Sequence, residues 1–228
     1  RHTSIRFKEY DLSMDEDTAI INENTRKEKI KVFFVNNTKK IIIIISTLVL
    51  ILFGYFAFQE FEKKNKIKLA DRYNFAKIEF ISGDKNNKVK NELIDIVNEK
   101  DRTYSPLALY FLIDNNIISE NKKINELFNI VINETSLEKE IKNLVIYKKA
   151  LFNSDFESEN NLIKMLNPII NSDSVWKSHA LYLMAEYFYY KNHKQKSKEF
   201  FNQILTLENS NQNIKIEAQK RLNRDFSD

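Results

Sequence analysis

One uncharged run, Ile41–Phe58 (IIIIISTLVLILFGYFAF), constrains this chain more than any other feature. As a helix rising about 1.5 Å per residue it reaches roughly 27 Å, close to the thickness of a bilayer's hydrocarbon core. Lys39 and Lys40 close one end; Glu60, Glu62, Lys63 and Lys64 close the other, with Tyr55, Phe56, Phe58 and Phe61 at that interface. Five consecutive isoleucines and no polar face suit lipid better than the half-wet surface of a soluble domain. The run is expected to be a single transmembrane helix. A cleaved signal peptide is the rival, but its apolar core normally spans roughly 7 to 15 residues, and no A-x-A-like site follows Phe58.

The rest of the chain must fold with two Gly and two Pro among 228 residues. So few turn residues exclude most β-sandwiches and barrels, and glycine-rich phosphate loops with them. Long helices joined by short polar turns remain. The 36 basic and 32 acidic residues nearly cancel and form no concentrated basic stripe, which argues against nucleic-acid binding. Without cysteine there is no disulfide, thiolate nucleophile or Cys-based zinc site.

Residues 1–40 read as a charged tail on the cytoplasmic side, with Met14 as a native start. The tail is expected to be disordered to about Thr25, after which Arg26–Asn36 forms a short amphipathic helix with Ile30, Val32, Phe33 and Phe34 on the membrane surface. Positive charge barely sets the orientation: Arg26, Lys27, Lys29, Lys31, Lys39 and Lys40 face Lys63, Lys64, Lys66, Lys68 and Arg72. A long segment following a first apolar helix tends to translocate whatever its charge, so residues 59–228 are expected outside.

Within 59–228 the apolar spacing predicts a helix to Ile81, ended by Gly83-Asp84. Further helices follow over 88–99, 105–116, 120–132, 137–153, 157–170, 174–191, 194–208 and 212–224. Ser105-Pro106 offers an N-cap with Pro at the first helical position, and Thr135 or Ser136 a cap for the segment carrying Glu138 and Glu140. Paired helices of this length predict stacked antiparallel hairpins, an all-α helical-repeat domain. The clearest pair is residues 178–209. Leu181, Met184, Ala185 and Phe188, then Ser197, Phe201 and Ile204, sit at tetratricopeptide spacings, with small Ala185 and Ser197 where the helices must cross closely. Asn192 stands where such a repeat has its turn Gly.

A charged start (DEDTAIINENTRKEKI), one transmembrane helix, an aromatic exit (GYFAFQEF) and a repeat opened by Trp176-x-x-x-Ala180 together resemble the bacterial ancillary SecYEG translocon subunit family. The resemblance covers the layout from Met14 onward. It implies an inner-membrane anchor, a periplasmic tetratricopeptide-like domain, and partners in the Sec translocon or among periplasmic chaperones.

Chemistry is sparse. Ser174-Val-Trp-Lys177 and Ser82-Gly-Asp-Lys85 match S-x-x-K, yet neither S-D-N nor K-T-G accompanies them. His2, His179 and His193 are too scattered for a zinc site. No catalytic, cofactor or metal site is expected. For binding, the first helix of the best hairpin presents His179, Tyr182, Glu186, Tyr189 and Tyr190 as a set able to face a concave groove and hold a peptide. The alternative is that these rings pack on the following helices, against Phe200, Ile214 and Leu222. The expected function is a non-enzymatic, membrane-anchored protein–protein adaptor. A self-associating envelope scaffold and an envelope-polymer hydrolase are the alternatives.

Overall fold

The computed structural model describes residues 4–83 and 87–226, with side chains from Thr25 onward. The described residues are all-α, with no strand. They form α1 (Ser4–Ile81), α2 (Asn87–Asn98), α3 (Tyr104–Asp114), α4 (Asn121–Glu134), α5 (Lys139–Asn153), α6 (Glu159–Ile170), α7 (Lys177–Tyr190), α8 (Lys194–Thr206) and α9 (Gln212–Asp225). By packing the chain divides into two units, Arg1–Asn65 and Lys66–Asp228.

Among the described side chains of the first unit none is buried. From Ile42 to Phe58 its large apolar side chains stand exposed, and the helix is long and apolar enough to cross a membrane. Helical backbone is continuous from Ser4 through the uncharged run: the described residues before Thr25, expected to be disordered, are helical, and Arg26–Asn36 is helical as part of α1 and not as a separate element. Main-chain hydrogen bonding is satisfied internally along this length, the condition for a segment in lipid.

The second unit builds its core in three clusters in series. The first joins Leu69 and Ala76 of α1 to Leu93, Leu109, Phe128 and Val145. The second centres on Leu162, Leu166, Met184 and Phe188, and the third on Leu181, Phe201, Ile204 and Ala218. Ile146 packs against the first and second clusters, Ile170 and Phe200 against the second and third. Helices α2 to α9 each pack mainly on their chain neighbours, the pattern of a stacked array. Next-but-one contacts join α1 to α3, through Tyr73 and Phe80 against Tyr104 and Phe111, and also α2 to α4, α5 to α7 and α7 to α9.

Turns explain how so few glycines suffice. Helices α3 and α7 end with Asn116 (φ 51°) and Asn192 (φ 64°) in the left-handed region, where Asn is the least costly residue after Gly. After α7 the Asn192 and His193 N–H groups donate to the Tyr189 and Phe188 carbonyls, closing the helix with two bonds. Gly83 (φ 96°) does the same after α1, donating to Phe80. Two expected caps are corrected. Helix α3 starts one residue before Ser105, whose buried hydroxyl instead donates to the Ile96 carbonyl of α2 at 2.9 Å. Helix α5 takes Glu138 as its N-cap residue, because Thr135 turns back to bond the Ile130 carbonyl.

Candidate functional site

Helix α7 is apolar on nearly every side because it packs against α5, α6, α8 and α9. Its N-terminus is held by one carboxylate. Glu140 Oε2 accepts from the Ser174 hydroxyl at 2.8 Å and the Val175 N–H at 3.1 Å, and Ser174 Oγ in turn accepts from the Trp176 N–H. The serine of the S-x-x-K match thus donates its proton into a link between α5 and α7. In the second match, Asp84 and Lys85 lie outside the described residues.

A pocket of about 490 Å³ opens along α7 and the C-terminal half of α5. Tyr182, Glu186 and Tyr190 of the expected set line it. Tyr147 and Leu151 of α5, Leu183 and Tyr187 of α7, and Asp155 on the rim complete its principal walls. Tyr190 is 83% exposed, a large ring with little of its surface covered. Tyr187 is buried, and its hydroxyl donates to the Glu157 carbonyl at 3.1 Å; burial, then Glu159 and Glu157, raises its pKa. Burial likewise raises Tyr147, and burial followed by Glu186 raises Tyr182. All three phenols stay protonated at neutral pH and can donate hydrogen bonds.

The two other expected residues do not line this pocket. His179 sits in an aromatic cluster, its ring 5.1 Å from Trp176 and 5.8 Å from Tyr147. Its Nδ1 is buried with no hydrogen-bond partner, and burial lowers its pKa, so the ring is neutral at pH 7. Tyr189 turns toward α9: the Arg221 guanidinium lies 4.4 Å from its ring centroid, and Phe226 meets its edge. Arg221 also holds Glu186 through two bonds of 2.6 and 3.1 Å. Glu186 therefore borders the pocket tied to Arg221, a guanidinium it shares with Asp225.

Tyr147 and Tyr187 escaped the sequence reading. Tyr187 falls on the core-facing side of α7 by helical spacing, and Tyr147 lies one hairpin earlier, so only the α5–α7 contact brings them together. Among the described residues no group of three or more His, Cys, Asp or Glu side chains is placed to hold a metal ion.

No protein-family model, curated protein or solved structure matches this chain.

Proposed function

We propose that this chain is a membrane-tethered helical-repeat adaptor whose α5–α7 groove binds a segment of a protein partner. The observation that carries this reading is the gathering of Tyr147, Tyr182, Tyr187 and Tyr190 around one pocket of about 490 Å³. Tyrosine supplies broad apolar area and a hydroxyl while ordering few rotatable bonds, so such a cluster fits an apolar peptide segment. Tethering by α1 keeps the groove beside the bilayer, where a high effective concentration lets modest affinity suffice. The layout of charged tail, apolar span and tetratricopeptide-like domain supports an inner-membrane position with the domain in the periplasm. The same layout supports a translocon subunit or periplasmic chaperone as the partner.

A photo-crosslinking residue placed at Tyr190 in the full-length chain tests this in intact membranes. Adducts with a translocon component or periplasmic chaperone, absent when the probe stands at Ile216 on α9, are expected. Adducts that do not depend on which of the two positions carries the probe would overturn it.

A further inference from the structure

The uncharged run does not account for all of the exposed apolar surface on α1. Ile30, Val32, Phe33, Phe34 and Val35 are each 55% exposed or more, although they precede Lys39 and Lys40. Phe33 lies eight positions before Ile41, about 12 Å along a straight helix. A headgroup layer is only roughly 5 to 8 Å deep on each side, so a helix continuing along the membrane normal would carry these side chains into water.

Two features offer another course. The Phe33, Phe34 and Val35 carbonyls accept side-chain hydrogen bonds from just beyond them: Asn37 Nδ2 bonds Phe33 at 2.9 Å, and Thr38 Oγ1 bonds Phe34 and Val35 at 2.7 and 2.9 Å. Such back-bonding supplies partners to carbonyls that a bend would otherwise orphan, and it is a recognised cause of helix bending. The charge is also lopsided. Residues 26–40 carry Arg26, Lys27, Lys29, Lys31, Lys39 and Lys40 against Glu28 alone, whereas residues 59–73 carry five cations against three carboxylates.

We infer that Arg26–Lys40 is a docking surface for anionic lipid headgroups. At a bilayer the helix turns at Asn37–Thr38, Ile30, Phe33 and Phe34 enter the interface, and the flanking lysines meet lipid phosphates. This rests on the reading of Ile41–Phe58 as a span.

The chain has no cysteine, so single-cysteine variants carrying an environment-sensitive fluorophore report one position each. Full-length Phe33→Cys, Leu50→Cys and Val175→Cys are reconstituted into vesicles of phosphatidylcholine alone or with a third phosphatidylglycerol. Nitroxide lipids labelled at shallow or deep positions then locate the fluorophore. Deep quenching at Leu50→Cys establishes the span, and a wet signal there sinks that premise separately. With the span established, shallow quenching and blue-shifted emission at Phe33→Cys are expected only in the anionic vesicles. Lys27→Gln/Lys29→Gln/Lys31→Gln added to Phe33→Cys should lower its buried-to-wet ratio by roughly 100-fold, at about fivefold per charge. Emission at Phe33→Cys as wet as at Val175→Cys in both vesicle types, or equal burial in the two, overturns the inference.

Discussion

Ser197 of α8 donates its hydroxyl to the Ala185 carbonyl of α7 at 2.8 Å, with both residues sealed from solvent. Two small side chains let the helices cross closely enough for one to bond the main chain of the other. The pair is therefore held by a polar contact at the point of closest approach.

Ser197→Ala loses that bond and should cost about 1 kcal/mol, whereas Ser197→Leu forces the helices apart and should cost about 3 kcal/mol. Urea unfolding of the full chain in detergent, followed through its single tryptophan, Trp176, measures both. Equal costs would mean that the crossing has room to spare.

At Asn192 the backbone, rather than a contact, sets the outcome. With φ at 64°, Asn192→Gly should change stability by less than about 0.5 kcal/mol, while Asn192→Val should lose about 1 to 2 kcal/mol to left-handed strain. Melting temperatures of the two variants against the parent chain decide it.

His179 gives the fold a pH dependence of known sign. Burial lowers its folded pKa below the unfolded value of about 6.5, so the unfolded chain binds the proton more readily. Its contribution is fully present above pH 6.5 and is lost as pH falls from there through the folded pKa. His179→Phe should flatten that acid-side slope in urea titrations between pH 7.5 and 5, with the Trp176 packing retained.

The Arg221–Glu186 pair links α9 to α7 at 12% and 23% side-chain exposure. Arg221→Ala leaves Glu186 without its partner beside the pocket, takes one of Asp225's two cations and uncovers Tyr189, and should cost about 2 to 3 kcal/mol. In the double variant with Glu186→Ala part of that cost should return, a coupling of about 1 kcal/mol or more in a double-mutant cycle. Strict additivity would show that the bonds contribute nothing as a pair.

Tyr190→Ala separates binding from stability. The ring is 83% exposed, so removal should change stability by less than about 0.5 kcal/mol while weakening partner crosslinking from a probe at Tyr182. Unaltered crosslinking would remove Tyr190 from the binding surface.

Helix existence was legible because 3.6-residue spacing is local, and the α7–α8 crossing because Ala185 and Ser197 are conspicuously small. The composition of the groove was only partly legible. Tyr189 and Tyr190 are neighbours of the same type, yet one lies under Arg221 and the other stands open, a difference made by α9 and not by α7. Tyr147 could enter only because α5 packs beside α7, a next-but-one contact that local spacing does not reveal. Ser105 shows the same limit: a serine before proline signals a cap, but here the hydroxyl serves a carbonyl on the preceding helix.

Because the apolar interior is partitioned, with Ile146, Ile170 and Phe200 standing at the partitions, damage is inherited by the adjoining compartment before any other. Deleting α9 would open the last compartment at Phe201 and still leave the first, built on α1 to α5, with every wall in place. A protease or a pulling force acting on the C-terminal end would meet a sequence of breakpoints, and the compartment that includes Leu69 and Ala76 of α1 would be the last to yield.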